Sequence, residues 1–150
     1  MLTLNEIMVS DLYTLGPDNT LQDAAELMKS KKIRHIPIVG SGNQLLGLVT
    51  QRDILAASSP GSTKEMNTPL NAIMITKLDT VNKSADLRQA ALFLQQHKHG
   101  CLPVVENNTL VGLVTDSDFV TIAIHLLEML EATEPVEDTD NDFTESLEMR

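Results

Sequence analysis

At 150 residues and 42% apolar composition, the chain is long enough for one domain with an ordinary buried core. It has neither the uninterrupted apolar run of a membrane span nor the basic, then apolar start of a secretion signal, so a cytoplasmic protein with no membrane partner is expected. A net charge of −10, no basic stripe and only three Phe and one Tyr argue against nucleic acid. A single cysteine, Cys101, excludes an intrachain disulfide or a thiolate cluster, and the four histidines lack metal-ligand spacing, so no metal is expected.

In chain order, Thr14-Leu15 is a short extended stretch leading into polar turn residues. Leu21, Ala24, Ala25 and Met28 then recur at three- and four-residue spacing, which predicts an amphipathic helix with Thr20 as N-cap and Asp23 in its first turn. That helix cannot pass Pro37, which lacks a backbone donor and biases its predecessor toward extended backbone. Residues 36–39 therefore read as a strand that turns and returns as residues 45–49. Both runs are continuously apolar, as in strands covered on two faces. A helix opens at Asp53, and residues 56–63, rich in Ala, Ser, Pro and Gly, read as a linker.

From Leu70 the same order begins again. Slid by 66 residues, Leu4-Asn5-Glu6-Ile7-Met8 lies over Leu70-Asn71-Ala72-Ile73-Met74, Ala24-Ala25 over Ala90-Ala91, and Pro37 over Pro103. One residue is lost in the turn, after which Gly47, Thr50 and Asp53 match Gly112, Thr115 and Asp118. The second copy is expected to carry an extended Thr80-Val81, and a helix facing inward through Leu87, Ala90, Ala91 and Leu94, capped by Ser84 or Asp86. Strands at 102–105 and 110–114 follow, then a longer helix from Asp118 to about Ala132. Residues 131–150 hold eight acids against Arg150 alone, a net −7 that leaves −3 for the rest; such a segment suits a solvated, disordered tail. The expected division is repeat 1 at 1–57, linker at 58–69, repeat 2 at 70–130 and tail at 131–150. One copy alone exposes too much apolar surface to be stable, whereas two packed sheet to sheet share a core. The fold class expected is α/β, with two β-α-β-β-α repeats related by a pseudo-two-fold axis.

Each copy resembles a CBS domain, the cystathionine-β-synthase-type motif. The likeness rests on Arg34-His35-Ile36-Pro37-Ile38-Val39 with Gly47-Leu48-Val49-Thr50-Gln51-Arg52-Asp53, and on Gly100-Cys101-Leu102-Pro103-Val104-Val105 with Gly112-Leu113-Val114-Thr115-Asp116-Ser117-Asp118. Residues 98–105 and 115–124, together with the acidic end, are also similar to stand-alone CBS pairs of the acetoin-utilisation type. The resemblance implies a regulatory module, not an enzyme, that binds an adenosyl ligand (AMP, ADP, ATP or S-adenosylmethionine) between its copies. It implies no obligatory cofactor, a homodimer and a regulated partner protein. It assigns Asp53 and Asp118 to the ribose hydroxyls, which a carboxylate can accept in pairs. Thr50 and Thr115 then stand at a strand-to-helix passage that favours phosphate. Each Thr-x-x-Asp is equally a helix cap, and both roles can coexist.

Arg34, His35 and Arg52 could surround a phosphate beside Asp53, or be surface charge. Their matches in the second copy are Gly100, Cys101 and Ser117, so the first-copy site is expected to be the better equipped. Met8, Val9, Ser10, Met74, Ile75 and Thr76 are either core or adenine contacts. Cys101 reads as a buried small apolar residue, and His97 and His99 as a solvated helix end. The face Phe119, Ile122, Ala123, Leu126, Leu127 and Leu130 could close a homodimer, dock a partner or pack within the chain. A protein-interaction adaptor without ligand control is the competing reading. No nucleophile–base pair, Gly-x-x-x-x-Gly-Lys loop or metal set supports catalysis.

Overall fold

In the computed structural model, which describes residues 3–97 and 100–133, both copies follow the expected order. A helical turn, α1 (Leu4–Ile7), buries Leu4 completely, and its counterpart is a 3-10 turn at Leu70–Ala72 that buries Leu70. Helix α2 (Leu21–Lys31) turns Leu21, Ala24 and Met28 inward. Its capping box is complete: Asp23 N–H donates to Thr20 Oγ1 at 3.2 Å and Thr20 N–H to Asp23 Oδ2 at 2.9 Å. It stops at Lys32, whose φ of 55° is left-handed, and the chain turns into β1 (His35–Val39). Strand β2 (Leu45–Thr50) returns antiparallel and helix α3 (Gln51–Ser58) follows.

The second copy has β3 (Val81–Asn82), α4 (Leu87–Gln96), β4 (Cys101–Glu106), β5 (Thr109–Thr115) and α5 (Asp116–Thr133). Asp86, rather than Ser84, caps α4 by accepting from Arg88 N–H at 3.0 Å. Ser84 instead closes a turn on Asn82.

The copies match down to their irregularities. Pro37 faces Leu48 and Pro103 faces Leu113, and each hairpin has a register shift one residue later, after Ile38 and after Val104. Leu15 pairs parallel with Ile38 as Val81 does with Val104. In the first copy that pairing is a single bridge, so the expected extended stretch is shorter than a strand. The middles of the strands are buried, as a sheet covered on two faces requires.

The halves are also interlaced. Val9 bridges to Leu113 and Ile75 to Leu48, so each sheet gains an edge from the opposite copy, and these four residues exchange backbone hydrogen bonds of 2.8 to 3.0 Å. Thr3 pairs with Asp86 and Pro69 with Thr20, so the segment before each copy docks at the helix entrance of the other. Thr68 and Met66 carbonyls accept from Leu21 and Gln22 N–H at 3.0 and 2.9 Å, satisfying first-turn amides of α2. The end of the 58–69 segment is therefore hydrogen-bonded structure and not a free tether. The bridge from Gln44 to Thr109 joins two equivalent positions, and only a pair on the pseudo-two-fold axis maps onto itself.

Residues through Asp118 form one unit and Phe119 onward a second. The second is described through Thr133 as the remainder of α5, on which Val120, Ile124, Leu126, Leu127, Met129 and Leu130 are each at least half exposed. Glu131 is thus helical, and the expected acidic tail beyond Thr133 lies outside the described residues.

Candidate functional site

Both Thr-x-x-Asp motifs sit where a buried strand becomes a helix. Thr50 N–H and Oγ1–H each donate to Asp53 Oδ2 at 2.8 Å, and Asp53 N–H returns to Thr50 Oγ1 at 3.3 Å. Thr115 N–H donates to Asp118 Oδ2 at 2.8 Å and Asp118 N–H to Thr115 Oγ1 at 3.4 Å. The hydrogen bonds that tie each carboxylate to its own helix cap run through Oδ2. The cap and a ligand need not compete, because a carboxylate has two accepting oxygens.

Each carboxylate borders a cavity built from both copies. Around Asp118 the space is about 280 Å³, with Thr115, Asp116 and Ser117 on one side and Asp11, Tyr13, Lys32, Arg34 and His35 of the first copy on the other. Around Asp53 it is about 560 Å³, lined by Thr50, Gln51, Arg52, Arg34 and His35 with Ile75, Gly100 and Asp116 of the second copy. Arg34 and His35 reach this position because α2 ends at Lys32 and β1 begins beside β2, with His35 opposite Thr50 and the Arg34 carbonyl accepting Gln51 N–H at 2.8 Å.

The first-copy site is expected to be the better equipped of the two. Arg34 and His35 line both cavities, Arg52 belongs to the Asp53 cavity and Lys32 to the Asp118 cavity. Lys98 and His99 lie outside the described residues. Ser10 and Thr76 are exposed and line neither cavity, whereas their neighbours Val9 and Ile75 do, one in each. Met8 and Met74 pack against Gly112 and Gly47. Asp11, Tyr13, Lys32 and Asp116 were missed because each serves a cavity whose Thr-x-x-Asp lies elsewhere in the sequence or, for Asp116, because its match Gln51 is uncharged. Tyr13 is the chain's one tyrosine, and Lys31 Nζ lies 5.3 Å from its ring centroid.

Cys101 is buried, and its thiol is pushed up to about 12 by burial first and by the Asp116 and Asp118 charges second. It is an inert packing residue. His97 is more than a solvated end: its ring stacks on Phe93 at 3.8 Å between centroids, its Nδ1 lies 2.9 Å from the Phe93 carbonyl oxygen, and its Nε2 lies 3.7 Å from Asp79. Among the described residues no group of three or more His, Cys, Asp or Glu is placed to hold a metal, and no helix is long and apolar enough to cross a membrane.

Two stretches, 4–60 and 70–125, match the family model for the CBS domain. The chain belongs to the CBS-domain family. Among curated relatives it is 35% identical over 118 residues to the CBS domain-containing protein YhcV of Bacillus subtilis, covering 79% of this chain and 83% of that one. The crystal structure described as an acetoin utilization protein (AcuB) from Vibrio cholerae superposes with a TM-score of 0.78 at 47% identity, over 90% of this chain and 99% of that one. The CBS pair CBSX2 of Arabidopsis thaliana, solved in complex with AMP, superposes with a TM-score of 0.73 at 25% identity, over 84% of this chain and 98% of that one. Homoserine O-acetyltransferase of Methanococcus vannielii is 31% identical, but this CBS pair covers only 24% of that enzyme. That match carries no acetyltransferase chemistry with it.

Proposed function

We propose that this CBS pair is a regulatory module, without catalysis of its own, that binds an adenosyl ligand (AMP, ADP, ATP or S-adenosylmethionine) and passes its occupancy to a partner protein. The observation that carries the reading is the placement of two capped carboxylates, Asp53 and Asp118, each beside a cavity lined by both copies. Each carboxylate has a second accepting oxygen for a ribose diol, with the Arg34 guanidinium nearby for phosphate. The AMP complex of CBSX2 supports the ligand class. A ligand lodged between two interlaced halves contacts both, so it favours whichever packing brings both sets of contacts within reach. That differential affinity is what regulation requires.

The experiment is a thermal-shift panel with AMP, ADP, ATP, NAD and S-adenosylmethionine on the full chain, followed by calorimetry of any ligand that stabilises it. A ligand selective for the folded state raises the melting temperature, by about 2.7 kcal/mol of stabilisation at a hundredfold excess over Kd. No shift with any of them favours a second reading, an interaction adaptor that works without a ligand. The apolar surface of α5 is the observation behind that alternative. It also supports a homodimer under either reading, because six large apolar side chains of this helix are at least half exposed.

A further inference from the structure

The two cavities are not independent. Arg34, His35 and Asp116 line both of them. We infer that Arg34 forms a single anion-binding edge shared by the cavities, so that two phosphate-bearing ligands antagonise each other's binding. This inference rests on the adenosyl-ligand reading and concerns how its two sites communicate.

The geometry supplies the reason. Arg34 is exposed, and its guanidinium is a planar fork that satisfies one phosphate group with paired hydrogen bonds. Committed to one cavity, the fork is withdrawn from the other. The pseudo-two-fold offers no replacement at the matching position, because the residue equivalent to Arg34 is Gly100, which borders the Asp53 cavity without a side chain. His35 is similarly matched by Cys101, which is buried.

Asp116 sharpens the effect. Asp116 lines both cavities, so an anionic ligand in either meets a like charge that Arg34 must offset. Among the described residues each cavity keeps one private cation, Arg52 beside Asp53 and Lys32 beside Asp118, so each retains some affinity for phosphate when the shared edge is taken. The result is a strong first binding step and a weakened second one. A neutral nucleoside does not call on the shared edge and fills both cavities without that penalty.

The test is calorimetric titration of the full chain with AMP and, separately, with adenosine. Wild type is compared with the single-cavity variants Asp53→Asn and Asp118→Asn, whose carboxamide oxygen preserves an acceptor for the helix cap, and with Arg34→Gln on the surface. The expected result is a second AMP at least tenfold weaker in wild type than in whichever single-cavity variant keeps that cavity. Adenosine leaves no such gap, and in Arg34→Gln the first AMP weakens while the gap closes. AMP filling both wild-type cavities with the single-cavity affinities overturns the shared edge, as does a gap that persists in Arg34→Gln. Adenosine binding to both cavities in those cases leaves the adenosyl reading standing. Binding of neither AMP nor adenosine, or no loss in either Asp variant, overturns the reading and the inference together.

Discussion

Met74 occupies the space that a side chain on Gly47 would need: its Sδ lies 2.7 Å from the position of a Cβ built there, and the Ile75 carbonyl oxygen lies 3.0 Å from it. Met8 crowds Gly112 in the same way. These glycines are not turn residues. Their missing side chains let the bridging segment of one copy lie directly against the strand of the other, which is how Ile75 reaches Leu48 and Val9 reaches Leu113.

Gly47→Ala should therefore cost roughly 1–3 kcal/mol, the range for overpacking a filled site. Urea denaturation reads this as a lower midpoint at unchanged slope. Combining it with Met74→Ala should recover part of the loss relative to the sum of the two single changes, because the sulfur no longer competes for the space. Strict additivity would show that the obstruction is the Ile75 backbone alone.

Thr20 and Asp23 form the same box as Thr50 with Asp53 and Thr115 with Asp118, yet they border neither of the two cavities. They provide an internal control. Asp23→Ala should lower the melting temperature and leave AMP binding untouched, while Asp53→Ala and Asp118→Ala should lower both. The Thr20 backbone N–H, followed by the Asn19 amide, holds the Asp23 carboxyl below the usual carboxylate value. Its contribution is thus present above that value and lost as pH falls through the lower native one. The melting-temperature difference between wild type and Asp23→Ala should be steady near neutral pH and shrink in strong acid.

The Cys101 thiol, raised to about 12, should react slowly with a thiol-specific disulfide reagent at pH 8 in the native protein and at once in denaturant. The sign of its pH effect follows from the direction of the shift. The unfolded chain ionises this thiol near 9 and the native chain does not, so stability is full below about 9 and declines as pH climbs toward 12. Cys101→Val should lose that alkaline component, measured as a flatter melting temperature above pH 9.

On α5, Leu127 is 58% exposed, so Leu127→Lys should fold without strain. If the apolar face is covered by a second copy, sedimentation should give a dimer for wild type and a monomer for the variant, with AMP binding retained. A wild-type monomer would assign the face to a different protein.

The duplication, the order of elements and the Thr-x-x-Asp caps were legible in the chain, because each is written locally, although the helices expected to open at Asp53 and Asp118 begin two residues earlier, at Gln51 and Asp116. Proline at 37 and 103 ends one element and begins another, apolar spacing selects the buried helix faces, and Thr-x-x-Asp marks the helix starts. What residues 100–101 lacked relative to 34–35 was legible too, but its meaning was not. Which cavity a side chain serves depends on interlacing, and Asp11, Tyr13 and Lys32 meet Asp118 only when the start of one copy crosses to the strands of the other. Contacts between segments some hundred residues apart leave no periodic trace in either segment. Sequence alone therefore determined two equivalent scaffolds, and the tertiary structure decided that Arg34, His35 and Asp116 line two cavities at once.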